Sequence, residues 1–263
     1  MTTPHKTLAA LALTLCPLAV SNAALTVLVS ANDIESAEAS GIKGVTPDQI
    51  FTETFNSRPL GNINGYVSST IGVTYTTAGG GVIIAHDQYG GNNQGNYLGV
   101  DRDSLVTMTL ATPAQYFGFY FTAGDKYNEI TVMSGATTLM SFSTATLINM
   151  LPKGSGNHIT AINGSQYLTN DYYGQPVTNL NGAEPYAYLH FVAFGETTFD
   201  KLILSQNQAS TQVFENDNHS ILTTTPAIPD SLVYVAGSPI PEPSSWGLVF
   251  GVAGGLLLVR RRC

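Results

Sequence analysis

The 263-residue chain carries 18 acidic against 10 basic side chains, a net charge of −8 at neutral pH, which argues against nucleic acid or an anionic lipid surface as partner of its body. Its two cysteines, Cys16 and Cys263, fall in the terminal segments. The body between them therefore has no thiol nucleophile, thiolate ligand or disulfide, and at about 215 residues it can bury a core without such staples.

Lys6 precedes an apolar run through Leu11, Leu13, Leu15, Leu18 and Val20, which ends at Ser21-Asn22-Ala23. A positive charge, a short apolar stretch and small residues in that order make a secretory signal peptide over residues 1–23, with cleavage by signal peptidase after Ala23. The run is shorter than the roughly 20 apolar residues a spanning helix needs. Cys16 does not mark a lipoprotein, because bulky Leu15 precedes it and Pro17 follows.

From residue 24 the chain reads as strands punctuated by Gly and Asn. Leu105–Leu110 alternates weakly. Tyr116–Phe121 alternates well, with Phe117, Phe119 and Phe121 on one face. Ile130–Met133 and Leu139–Phe142 are strands joined through Ser134-Gly135. Tyr186–Phe194 sets Leu189 and Phe191 opposite Tyr188, His190 and Val192, and Phe199–Leu204 alternates again. Such period-two runs at about 8–12-residue spacing predict an all-β sandwich or barrel over 24–222. Asn32–Ala39 alone has helical composition. Tyr89–Asn96, Pro152–Asn157 and Asn163–Pro176 read as loops, and 223–238, with Pro226 and Pro229, as a linker.

Three pieces of the body resemble exosortase-dependent surface proteins and carbohydrate-binding-like jelly rolls. They are Phe51-Thr52-Glu53-Thr54-Phe55-Asn56, then Tyr116–Tyr120 followed by Asp125-Lys126-Tyr127-Asn128, and Phe199–Leu202 with Phe214–Asn218. The resemblance implies a single jelly-roll, galactose-binding-like β-sandwich. It does not imply that sugar binding is retained, because fold does not fix function.

At the C-terminus, Pro241-Glu242-Pro243 precedes an uncharged apolar stretch, Trp246–Val259, and then Arg260-Arg261-Arg262. As a helix that stretch is roughly 21 Å long at about 1.5 Å per residue, marginal against a hydrocarbon core of about 30 Å. Flanking serines and a snorkelling Arg260 extend it, and the arginines stay cytoplasmic by the positive-inside rule. The order of these parts over 239–263 resembles the PEP-CTERM sorting signal of Gram-negative, biofilm-forming bacteria. That resemblance implies exosortase as partner, Pro241, Glu242 and Pro243 as recognition element, and the transmembrane helix with Arg260, Arg261 and Arg262 as a membrane hold until processing.

Between the two ends, six basic residues stand against seventeen acidic ones, a net charge of about −11. His86, His158, His190 and His219 show no ligand spacing, which disfavours zinc or copper. Calcium, which takes six to eight oxygens, has its best candidate in Glu215, Asp217 and Asn218, with Asp101 and Asp103 a second acidic pair and Asp87 beside the Gly/Asn loop; Asx turns explain the same residues without a metal. No G-x-S-x-G elbow is present, so catalytic residues and cofactors are expected to be none. Paired carboxylates about 5–10 Å apart in a cleft would be needed for a glycoside hydrolase. Tyr89, Asn92, Asn93, Gln94 and Tyr97, and Tyr167, Tyr172 and Tyr173, have the aromatic and amide chemistry of sugar binding. The expectation is an exported, non-catalytic surface or matrix protein associated with extracellular polysaccharide, with a carbohydrate-binding module as the alternative and a secreted hydrolase behind it.

Overall fold

The computed structural model describes residues 25–86, 88, 94–176, 178–207 and 212–228. In chain order the strands are β1 (Leu25–Val29), β2 (Ile50–Glu53), β3 (Gly61–Asn62), β4 (Tyr66–Ser68), β5 (Val73–Ala78), β6 (Gly81–Ala85), β7 (Asn96–Val100) and β8 (Ser104–Ala114). They continue as β9 (Tyr116–Thr122), β10 (Asn128–Ser134), β11 (Thr137–Ser143), β12 (His158–Thr160), β13 (Gln166–Leu168), β14 (Ala187–Ala193), β15 (Phe199–Gln206) and β16 (Phe214–Leu222). Two antiparallel sheets form a β-sandwich. The first runs β1-β14-β9-β16-β7-β6-β3 with β2 also paired to β16; the second runs β11-β10-β15-β8-β5-β4.

The main core lies between the sheets. Phe117, Phe119 and Phe121 enter it from β9, Leu189 and Phe191 from β14, Val106 and Met108 from β8, and Leu202 and Leu204 from β15. Burying side chains of this size contributes about 1.5–3 kcal/mol each. The alternate residues of β9 and β14 do not face water. Tyr116, Tyr120, Tyr188 and Val192 form a second cluster with Ala37, Ile42 and Ile162, so segments 30–49 and 161–165 roof the outer face of the first sheet.

β16 carries a bulge that decides which side chains reach each cluster. Asn218 adopts φ 51°, and the pairing with β9 shifts between Asp217 and Ser220. One extra residue reverses the alternation beyond it. Phe214 and Asn216 face the main core before the bulge, and His219 and Ile221 face it after, whereas Leu222 joins the outer cluster. Asparagine tolerates the left-handed conformation better than most residues with a side chain.

The expected strands over 105–110, 116–121, 130–133, 139–142, 186–194 and 199–204 are all present as β8, β9, β10, β11, β14 and β15. Asn32–Ala39 forms turns rather than a helix. The helix is instead α1, Thr144–Met150, capped by Ser143 accepting from the Thr146 N–H and stopped before Pro152. The expected loop over 163–176 holds β13 and a 3₁₀ turn at Thr169–Tyr172, and β13 pairs with β12. The first six residues of the expected linker lie against the body: Thr223 N–H donates to Gln49 O at 3.1 Å, Ala227 N–H to Lys43 O at 2.9 Å, and Pro226 is buried. Among the described residues no helix is long and apolar enough to cross a membrane. The signal peptide with Ala23, and the segment with Pro241, Glu242, Pro243, Arg260, Arg261 and Arg262, lie outside them.

Candidate functional site

Strand pairing gives the sandwich two poles. At one pole β9 ends at Thr122, β14 begins at Ala187 opposite Phe121, and β16 begins at Phe214, with Glu215 opposite Thr122. The second sheet ends there too, with Ser104 opposite Gln206 and Gln206 opposite Asn128. Asp101 and Asp103 follow the end of β7, Asp125 follows β9 and Glu184 precedes β14. Arg102 and Lys126 are the basic residues interleaved with them. This is an acidic pole.

Glu215 is its most constrained member. The residue is 1% exposed. Its Oε1 lies 3.4 Å from the Tyr97 hydroxyl, and its Oε2 accepts no hydrogen bond among the described residues. Burial pushes its pKa up to about 9, with the charges of Glu184 and Asp125 adding to the effect and Tyr97 opposing it. Glu184 is raised by burial and then by Asp125. Asp125 is raised by burial against the opposing hydrogen bonds from Tyr127 N–H and Gln206. Gln206 Nε2 donates to Asp125 Oδ2 at 3.0 Å. At neutral pH the Glu215 side chain is thus a neutral acid.

The calcium candidates do not converge. Glu215 and Asp217 are buried neighbours on β16, but Asn218 serves the bulge, and its Nδ2 donates to the Glu35 carbonyl at 2.8 Å. Among the described residues no three His, Cys, Asp or Glu side chains are grouped so as to hold a metal ion. Asp87 lies outside the described residues.

The sugar-binding candidates are mostly structural. Tyr97 and Tyr172 are fully buried; their hydroxyls donate to Gln88 O at 2.5 Å and Ser30 O at 2.6 Å. Tyr173 donates to Leu151 O at 2.8 Å and lies under Lys153 Nζ, 4.1 Å from the ring centroid. Tyr167 accepts from Asn163 Nδ2 at 3.0 Å. The rings of Tyr97 and Tyr172 therefore offer no open stacking platform, while Tyr167 and Tyr173 are half-buried against the core; Tyr89, Asn92 and Asn93 lie outside the described residues.

Two buried histidines organise networks that sequence reasoning did not find, because their partners are distant in the chain. His190 Nε2 lies 2.8 Å from Ser30 Oγ and its Nδ1 2.8 Å from the Tyr116 hydroxyl. That connectivity is the one a Ser nucleophile, a His base and an orienting group would have. Yet Ser30, His190 and Tyr116 are each at most 1% exposed, and burial pushes the imidazole pKa down to about 3. A substrate has no route to this serine. Beside it, Tyr188 donates to Ser220 Oγ at 2.7 Å, Ser220 meets Thr52, and Thr52 donates to Glu38 at 2.6 Å.

His219 stands in the main core. Its Nδ1 lies 3.0 Å from the Tyr75 hydroxyl and its Nε2 2.7 Å from Asn216 Oδ1. Burial holds its pKa at about 3. Rings stack outward from it in a column: Tyr75 at 5.8 Å, Tyr66 5.6 Å further, then the Arg58 guanidinium 3.8 Å from the Tyr66 centroid. Tyr66 donates to Glu53 Oε2, and Glu53 Oε1 accepts from Phe55 N–H at 2.9 Å.

A shallow depression of about 420 Å³ opens at the acidic pole, lined by Gly79, Asp103, Ser104, Leu105, Ser205, Gln206 and neighbours. Asp103 is its one lining carboxylate among the described residues. Hydroxyl, amide and single carboxylate groups suit hydrogen bonding to a polar ligand; the two-carboxylate arrangement of a glycoside hydrolase is not built there.

No family model matches the chain, and no curated protein matches it. Among solved structures, a family 11 carbohydrate-binding module of the cellulosomal cellulase Lic26A-Cel5E of Clostridium thermocellum is weakly similar, at 9% identity and a TM-score of 0.18, over 66% of this chain and 95% of that one.

Proposed function

We propose that the chain is an exported, non-catalytic surface or extracellular-matrix protein, sorted and processed by exosortase, with a galactose-binding-like jelly roll as its body. The observation that supports this is the order of parts in the sequence. A charged, apolar, small-residue leader ends at Ala23, a β-sandwich body follows, and Pro241-Glu242-Pro243, an apolar stretch and three arginines come before the final Cys263. In this reading signal peptidase removes the leader. The C-terminal helix then holds the precursor in the inner membrane until the Pro-Glu-Pro element is processed, and the mature body joins the cell surface or the exopolysaccharide of a biofilm. Glu242→Ala should leave membrane-retained precursor in fractionated cells; unchanged release would overturn the sorting role.

A second reading, a carbohydrate-binding module that tethers exopolysaccharide, draws on the polar depression beside Asp103, Ser104 and Gln206. A glycan array probed with the mature protein, with and without calcium, tests it. Binding lost on Asp103→Ala supports this reading, and the absence of any bound glycan refutes it.

A further inference from the structure

The N-terminal end of the described body leaves from the pole opposite the acidic one, and the C-terminal end passes that pole at Thr225 before Ala227 lies against Lys43. Leu25 opens β1 opposite Ala193, the last residue of β14. Ala193 N–H donates to Gln115 O at 2.8 Å, and the Thr225 hydroxyl donates to Gln115 Oε1 at 2.5 Å. β16 closes there as well, with Leu222 opposite Ile50. Nine-residue β16 separates the poles by about 30 Å at about 3.3 Å per residue.

The two connections to the terminal apolar segments differ in length. Residues 21–24 separate the N-terminal apolar run from β1, an extended reach of at most about 14 Å. Residues 229–245 separate Ile228 from the C-terminal apolar stretch. Those seventeen residues could reach as far as about 60 Å if fully extended. A tether of about 14 Å cannot pass around a body about 30 Å tall.

We propose that the pole bearing Gln115, Ala193 and Glu196 is the surface the folded body presents to lipid while the chain is still held by its leader, and that the acidic pole faces outward. The proposal rests on the export and anchoring reading above. It makes the depression beside Asp103 and Gln206 the outermost part of the precursor. It also makes the leader, rather than the long C-terminal connection, the element that fixes orientation.

The body contains no cysteine, which permits a direct test. In the full chain, Ala23→Phe retains the leader, and Cys16→Ala with Cys263→Ser clears the background. A fluorophore is then placed on Glu196→Cys or Arg102→Cys, both exposed positions at opposite poles, in vesicles containing headgroup spin-labelled lipid. Circular dichroism confirms that each variant retains its sheet signal. The Glu196 probe should be quenched several-fold more than the Arg102 probe. A chain beginning at Ala24, with the C-terminal segment kept, should show a smaller contrast. Equal or reversed quenching in a chain that resists alkaline carbonate extraction would overturn the proposal while leaving anchoring intact. Release of the chain by carbonate would overturn the anchoring reading itself.

Discussion

Replacing Glu215 by Gln should stabilise the protein at neutral and alkaline pH. The side chain is buried, and one carboxyl oxygen has no hydrogen-bond partner among the described residues. Folded, it keeps its proton to about pH 9; the ordinary value is 4.5. Between those values the unfolded chain binds fewer protons than the native one, so stability falls as pH rises. One pH unit is worth about 1.4 kcal/mol, so at pH 7 the retained proton costs about 3 kcal/mol. Glutamine has nearly the same shape, can still meet the Tyr97 hydroxyl and has no proton to lose. The buried histidines act in the opposite sense. His190 and His219 are held at about 3, against about 6.5 in an unfolded chain. Below 6.5 the unfolded state takes up protons first, so stability rises with pH across that window and the gain ends near 6.5. The wild type should therefore be most stable near pH 6.5 and lose about 1.4 kcal/mol per unit above it from Glu215. Glu184 and Asp125 are raised by burial too, so the Gln variant should keep a shallower alkaline limb rather than none. Urea unfolding followed by far-UV circular dichroism between about pH 4 and 9 measures both profiles. Parallel alkaline limbs in wild type and variant would refute the reasoning.

Gly118→Ala should cost about 1–3 kcal/mol as an overpacked site. Its Cβ would lie 2.5 Å from the Tyr116 hydroxyl and 2.7 Å from the Tyr188 hydroxyl, displacing the groups that meet His190 and Ser220; a thermal melt reads the loss. Asn218→Val should destabilise by about 1–3 kcal/mol, because a β-branched residue is strained at φ 51°. Asn218→Gly relieves that strain, leaving a smaller cost from the lost amide bond to Glu35 O, so chemical denaturation of the two variants separates backbone strain from that bond. Ser30→Ala should cost about 1–2 kcal/mol, since it leaves His190 Nε2 without its partner in a dry site.

The strands legible in the sequence are those whose alternation is carried by large aromatics. Phe117, Phe119 and Phe121 against Tyr116 and Tyr120 announce β9, and Leu189 and Phe191 against Tyr188 announce β14. What the alternation could not reveal is that both faces are buried: tyrosine, histidine and threonine read as solvent-facing, and only the roof of segments 30–49 and 161–165 turns them into a second cluster. The bulge at Asn218 was hidden for a related reason. Glu215-Asn216-Asp217-Asn218 reads as an oxygen-rich cluster, but register with β9, a long-range property, splits its side chains between the two faces of the sheet. Helix α1 had no clear signal because its seven residues, with two threonines, one isoleucine and one asparagine, give little periodicity and weak helix propensity. The buried histidines carry no local signature, since Ser30 and His190 are 160 residues apart.

These features narrow where the body can meet a partner. The outer face of β1, β14, β9 and β16 in the first sheet is occupied by its own roof, and the hydroxyls of Tyr116, Tyr188 and Tyr172 are committed to His190, Ser220 and backbone carbonyls. Among the described residues the outer face of the second sheet has no such cover. Across it Thr76, Thr107, Ile203, Thr131 and Ser141 stand in one row, opposite one another on five successive strands, all at least partly exposed. Thr74 and Thr109 begin a second row. Small β-branched hydroxyl side chains keep a sheet face flat and polar without aromatic platforms. The polar depression opens at the end of this same sheet. A ligand of extended, hydroxylated chemistry would thus meet hydrogen-bonding groups along the second sheet and the acidic pole, whereas those of the roofed face are buried. Substitutions that abolish binding should accordingly fall at Thr76, Thr107 or Asp103 and spare Tyr97 and Tyr172. The reverse pattern in a variant that still melts as wild type would mean that the roof opens.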